Sequence, residues 1–501
     1  MMTFASARGA TGIARVGRVR LPHPRFIALA VTLALTAACS TGAGPTITTA
    51  TPSSVTTVAT TTTATIAPAT TTTTTPLGAE LPGTAGDLDA LLARIDLLPA
   101  AQAAEAVDRL WGRLTGAGRI PFVDGDHVVF LYRGEAEGVD WRGDFSGWSG
   151  GLLGRRISQT DLWAADATLP GDARIEYRIV LDGGEWIVDP GNPDTQMGGY
   201  GPNSVLTMPG FVTTDFTTPD PGAPSGTLTE DIPFESGAMG YTIDVRVYIP
   251  AAAPGAAGYP VLYVTDGSDF WDPQMGAMTV VADNLIAAGR IEPVMAVFPD
   301  AWDPEHTVNR RESEFLERPA DYARFLAEEL IPWVDATYPT DPRRERRAIV
   351  GTSYGGVGAA FFSALQPEAF EGVVMFSPAV WALGSPESLD NPARAESLRE
   401  MTALLEAEAR ACEAGECASR GQRTIITSGI PEWDVGDLSG LAATFEAIGL
   451  DYLFLQTREG HSWGAWSGLT DEVLEFLFPA AGWSSRSAHM RCQSRNCSRR
   501  R

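Results

Sequence analysis

Seven short apolar runs between residues 242 and 457 alternate with stretches of helical periodicity. The runs are "TIDVRVYIP" (242–250), "PVLYVTDG" (260–267), "VMAVFPD" (294–300), "AIVG" (348–351), "GVVMFSP" (372–378), "TIITSG" (424–429) and "DYLFLQT" (451–457). Between them lie segments such as "YARFLAEELIPWVDATY" (322–338) and "LSGLAATFEAIG" (438–449). Strands that are apolar along their length need cover on both faces. When helices separate such strands, a largely parallel sheet between helix layers supplies that cover. The pattern predicts an α/β domain over 226–480.

The chain before it follows other rules. From 119 to 212, short strands alternate with Gly/Asp turns, as in "HVVFLYRG", "VDWRGDFSGW" and "ARIEYRIVLDG". Closely spaced strands with turn signals predict a small all-β sandwich. In 83–118, Leu88, Leu91, Leu92, Ile95 and Leu98 share one helical face, as do Ala103, Val107, Leu110 and Leu114. Residues 39–82 are dominated by Thr with Ala, Pro and Ser, so they cannot build a core and read as a disordered tether. The arginine-rich stretch 481–501 has no apolar periodicity and is expected to be disordered.

Charge narrows the partners. There is no lysine, and the 62 acids face 26 arginines within 39–483, a formal charge of −36. Such a surface repels nucleic acid and anionic membrane. Residues 1–38 carry five arginines, no acid and an apolar run from Phe26 to Ala38, the pattern of an export signal. "LTAAC" (35–39) is similar to a bacterial lipobox, which makes Cys39 a lipidation site and the only expected membrane attachment; an ordinary secretory signal is the other reading. The remaining cysteines form two close pairs, Cys412 with Cys417 and Cys492 with Cys497. In an oxidising compartment each can close a small disulfide loop. No histidine accompanies the first pair, so no metal site is expected.

Two stretches match G-x-S-x-G: Gly147-Trp148-Ser149-Gly150-Gly151 and Gly351-Thr352-Ser353-Tyr354-Gly355. With 52 glycines in the chain, the pentapeptide alone decides nothing. Context does. Ser353 follows a buried strand, "AIV", and precedes a helical stretch, "VGAAFFSAL", the setting of a nucleophile elbow. Ser149 has no such flanks and reads as a loop serine. A serine hydroxyl needs a base, and of the five histidines His461, in "REGHSWGAW", directly follows the last strand. The acid that orients the imidazole is sought after the preceding strand, in "TIITSGIPEWDVGD", where Glu432 is preferred over Asp434 and Asp437 fits a helix cap. Two backbone N–H groups must face the oxyanion, those of Tyr354 and of Ser268 in "VTDGSDFW", where Gly267 is expected to let the chain turn.

Residues 226–478 resemble the esterase D or enterochelin-esterase-like branch of the α/β-hydrolases. The likeness lies in "VLYVTDG", "RRESEFL", "EELIPWVDATY", "GTSYGG", "FSPAVW", "SGIPEW" and "GHSWGAW", in that order. The stretch 119–212 is similar to the immunoglobulin-like E-set module that precedes some of these esterases, notably in "FLYRG", "GDFSGW" and "DPGNPDT". The resemblance implies acyl transfer without metal or other cofactor, on a small-molecule or carbohydrate-linked ester. In "RRESE" both Arg310 and Arg311 satisfy the family pattern, and Ser462 stands where the family often has Asp. Trp271, Trp381, Trp463 and Trp466 fit a substrate cleft or the core equally well. A non-enzymatic surface protein that works through its E-set module is the competing class. The acidic body favours neutral esters over ferric siderophores.

Overall fold

Residues 76–482, apart from 215, 256, 385–389, 417, 420, 431–435, 437 and 449–450, together with 497–500, are described by a computed structural model. Helices α1 (Ala85–Asp96) and α2 (Ala100–Gly116) come first. Thr84 caps α1: its hydroxyl accepts from the Asp87 N–H, and the Asp87 carboxylate accepts from the Thr84 N–H. Leu88, Leu92 and Ile95 of α1 join Val107, Leu110 and Leu114 of α2 in one buried cluster with Phe122, Val129 and Leu131.

Two antiparallel sheets follow. One contains β1 (Phe122–Asp124), β2 (His127–Arg133), β5 (Arg155–Arg156) and β6 (Leu162–Thr168), in the order β1-β2-β6-β5. The other contains β3 (Val139–Gly143), β4 (Leu152–Leu153), β7 (Arg174–Leu181), β8 (Glu185–Ile187), β9 (Thr195–Gly198) and β10 (Gly201–Thr207), with β7 central between β3 and β10. Alternate residues of β2 face opposite ways. Val129 and Leu131 pack under the helices, while Val128 and Phe130 join Trp141 and Tyr177 in the core of the module.

Among the described residues, the rest is built on a ten-stranded sheet with helices between its strands. Its strands are β11 (Thr227–Leu228), β12 (Ile232–Ser236), β13 (Tyr241–Ile249), β14 (Val261–Val264), β15 (Met295–Pro299), β16 (Arg347–Thr352), β17 (Gly372–Phe376), β18 (Arg423–Ser428), β19 (Asp451–Gln456) and β20 (Cys497–Arg500). The order is β11-β13-β15-β14-β16-β17-β18-β19-β20, with β12 also on β13. From β15 to β19 every neighbour pair is parallel; β13 joins β15 antiparallel, and β20 joins β19 antiparallel. The apolar runs are explained by double-sided cover. Tyr263, Ile349 and Val373 enter one core, and Val264, Val350 and Val374 enter the other. One expectation fails here. Four residues of the stretch 481–501, read as disordered, form β20, where they occupy the otherwise open edge of β19.

Parallelism places the site. The carboxyl ends of β14, β16, β18 and β19 point to one edge of the sheet, so the loops that leave them converge there.

Candidate active site

The chain leaves β16 at Thr352 and enters α3 (Tyr354–Leu365) with only Ser353 between. To turn that sharply Ser353 takes φ 57° and ψ −117°, a conformation that side chains rarely adopt. The turn is held from several sides. The Ser353 N–H donates to the Phe376 carbonyl at 2.9 Å, and the Ser353 carbonyl accepts from Ala379 at 3.1 Å. The flanking glycines are demanded by space. A Cβ on Gly351 would overlap the Gly355 carbonyl, and one on Gly355 would overlap the Asp266 carboxylate and the Thr265 hydroxyl. Ser353 therefore stands at the positive end of a twelve-residue helix.

His461 comes to it from the far side of the sheet. The Nε2 atom lies 3.0 Å from Ser353 Oγ, across 108 residues of sequence. Trp466 meets the imidazole edge-on at 4.9 Å. Ser462 accepts from the Ala465 N–H and caps the short helix Trp463–Ser467, which fixes the chain just after His461.

The loop after β14 forms the floor. The left-handed turn falls on Asp266 (φ 57°) and not on Gly267, which was expected to make it. Gly267 is needed because a Cβ there would stand 2.7 Å from the Phe298 backbone. Ser268 follows in the helix Gly267–Trp271, its hydroxyl donating to Asp300 at 2.9 Å. Arg311 Nε binds Asp266 Oδ1 at 2.5 Å, and the same guanidinium reaches the Thr352 carbonyl at 3.0 Å. One side chain thus ties this loop to the residue preceding Ser353. Arg310 does something else: it bonds the Thr242 carbonyl and lies 4.1 Å above the Tyr241 ring. The sequence pattern allowed either arginine, and only the fold separates them. Acids crowd this floor. Burial pushes the Asp266 carboxyl up against the opposing pull of Arg311. Burial, and then the Asp266 charge, push Asp269 up to about 7.

The other expected residues fare unequally. Tyr354 is the first residue of α3, half-buried, with Trp381 exposed beside it at 6.2 Å between rings. Trp463 and Trp466 are buried in the core and Trp271 packs on it, which leaves Trp381 as the exposed tryptophan of the four. Ser149 lies in a turn of the module. Glu432, Asp434, Asp437, Cys39 and Cys417 lie outside the described residues, so the acid, the lipidation site and the Cys412–Cys417 pairing are not seen. Cys412 is on the helix Pro392–Ala414, near Glu408 and Ser419.

Comparison with known proteins bears on the fold that carries this site. An uncharacterized Bacillus subtilis (strain 168) protein, YjcH, is 25% identical over 161 residues, 32% of this chain; the chain spans 65% of that relative's length. The iron(III) enterobactin esterase of Escherichia coli O6:H1 (strain CFT073) is 25% identical over 323 residues, covering 64% of this chain and 74% of that protein. The crystal structure of the Shigella flexneri enterobactin esterase in the presence of enterobactin superposes with a TM-score of 0.54 at 21% identity, over 70% of this chain and 92% of that one. That likeness spans the antiparallel sheets as well as the α/β domain. Residues 236–468 match the family described as "Putative esterase", and the chain has the fold of the enterobactin esterases.

Proposed function

We propose that this protein is an exported serine esterase that cleaves carboxylic esters through an acyl-enzyme. The observation that carries the reading is the 3.0 Å approach of His461 Nε2 to the hydroxyl of a serine held on a strained strand-to-helix turn. His461 takes the Ser353 proton as the oxygen attacks the ester carbonyl, then returns it to the leaving alcohol. Water repeats the cycle to release the acid. Glu432 is the proposed partner that holds the imidazole in the correct tautomer, and the N–H groups of Tyr354 and Ser268 are the proposed oxyanion donors.

For the substrate we propose a neutral ester with an aromatic acyl group, short acyl esters being accepted. The exposed Trp381 beside Tyr354 offers a flat apolar surface next to the serine. Cation is scarce there. Arg311 is paired with Asp266, Arg394 with Glu312 and Glu317, and Arg458 with Asp172. A ferric catecholate triester, strongly anionic, would meet acids without a free arginine among these to offset them. Export through residues 1–38 and acylation of Cys39 complete the proposal.

A fluorophosphonate probe on the purified protein, with peptide mapping, tests the chemistry: the adduct is expected on Ser353. Catalytic efficiency on a neutral aryl ester and on a ferric trilactone, each at two salt concentrations, tests the substrate. An advantage for the trilactone that grows at low salt would overturn the neutral-ester reading while leaving the chemistry intact.

A further inference from the structure

The loop that carries His461 is gripped from behind by the all-β module. The N–H of Arg174, the first residue of β7, donates to the Arg458 carbonyl at 3.0 Å. Its guanidinium lies 3.4 Å from Glu459 Oε1, 3.5 Å from Glu176 Oε1 and 3.3 Å from Gln196 Oε1. The three acids at this junction are buried, with Asp144 0%, Glu176 1% and Glu459 3% exposed. Asp144 is itself fixed, accepting from the Glu176 N–H at 2.7 Å and the Trp148 indole at 3.1 Å. It sits so close to Gly460 that a Cβ on that glycine would overlap its carboxylate, and one on Gly464 would overlap the Arg174 guanidinium. From the other side, the Glu459 carbonyl accepts from the Ile430 N–H at 2.8 Å. The two residues before His461 are therefore clamped between the module and the loop after β18.

The backing is not packed hydrocarbon. A cavity of about 320 Å³ runs along the same loop, lined by Asp172, Arg174, Gln196, Arg458, Glu459 and Gly464 among others. A loop beside open space is kept in one conformation by its hydrogen bonds and ion pairs. Two of those contacts, the backbone bond to Arg458 and the ion pair to Glu459, come from one residue of the module, Arg174.

We infer that Arg174 is a positioning residue: with Asp144 and Glu459 it sets where His461 Nε2 stands relative to Ser353 Oγ, and the module is thereby a working part of the catalytic unit. The inference rests on the Ser353–His461 reading. Misplacing a reacting group by about 1 Å can cost on the order of 100-fold in rate.

The test uses the full chain and a neutral aryl acetate. Wild type and Ser353→Ala are measured first; a silent wild type sinks the proposed function and says so separately. Arg174→Met, which keeps the stem and removes the charge, should lose about 10- to 100-fold in kcat with KM little changed. Labelling of Ser353 by the fluorophosphonate should slow in parallel, and Arg174→Lys should recover part of both. Rates are referred to folded protein by circular dichroism. A kcat within about twofold of wild type, a change confined to KM, or no recovery with lysine would overturn the inference. Should Arg174→Met not fold, Gly460→Ala decides: a folded variant with wild-type kcat overturns it, and one with the kcat loss supports it.

Discussion

The chain contains the same five-residue pattern twice, and the two copies have opposite fates. At 351–355 the serine carries the strain, with φ 57° and ψ −117°, between the central strand β16 and helix α3. At 147–151 the left-handed residues are Gly147 and Trp148, inside a turn, and Ser149 lies beyond them. In the first copy the glycines are required by contact, since a Cβ at Gly351 or Gly355 would overlap neighbouring atoms. In the second, Gly147 and Gly150 have nothing within 4 Å of an added Cβ, and only Gly151 is crowded. Both copies lie beside a buried acid whose carboxyl is pushed up by burial, Asp266 at the elbow and Asp144 at the turn. The difference teaches that the pattern specifies a tight glycine-rich bend. What stands on either side decides whether the bend sets a serine between a central strand and a helix or only turns the chain.

The sharpest break would come from the serines themselves. Ser353→Ala should lower ester hydrolysis by about ten-thousandfold or more without loss of fold, and Ser149→Ala should leave the rate unchanged. Fluorophosphonate adduct on Ser149, or labelling that survives Ser353→Ala, would erase the distinction.

The elbow needs an oriented base and the turn needs none, so the acid comes next. Glu432→Gln should cost up to about ten-thousandfold in kcat, by analogy with the wrong-tautomer effect in serine proteases. Asp434→Asn and Asp437→Asn should cost far less. A larger loss with Asp434→Asn reassigns the acid.

Glycine replacement sharpens the contrast in stability. Gly351→Ala should destabilise by about 1–3 kcal/mol or more, because the neighbours it meets are backbone and buried side chain. Gly150→Ala, in open space, should stay within about 0.5 kcal/mol. Urea titrations of the two variants measure this, and equal effects would mean that the elbow can relax.

The smallest effect concerns pH. Asp269, beside the elbow, has its carboxyl raised from 3.8 to about 7 by burial and by Asp266. A carboxyl raised on folding favours the folded state at low pH, where it is protonated. That contribution is present below about pH 4 and is lost as pH rises through about 7. Asp269→Asn removes the titration, so its Tm should fall less than wild type between pH 5 and 8. Parallel Tm curves would show that Asp269 is not the group responsible.

Much of the site could be read from residue order. Ser353 and His461 follow apolar runs, and such runs separated by helices fit parallel strands whose ends meet at one edge. Arg311 could not be told from Arg310, because they are neighbours in sequence and part company only when one reaches Asp266 and the other Tyr241. The role of Gly267 differs from expectation for a similar reason: close approach of the Phe298 backbone is a contact between the turn after β14 and strand β15, invisible in local sequence. The four-residue strand β20 was missed because its warrant is the open edge of β19, and not any pattern of its own.

The sequence by itself determined the α/β domain, the all-β module before it, the strand-to-helix turn at Ser353 and the place of His461 after the last of the parallel strands. These follow from local periodicity and from the rule that buried backbone must pair. Only the tertiary structure decided that the module packs against the loop of His461. Arg174 and Glu459 stand 285 residues apart, and Asp144 meets Gly460 across a still longer stretch of chain. No periodicity links such residues. Burial brings them together, and once buried a charge must find its partner wherever the fold has put it.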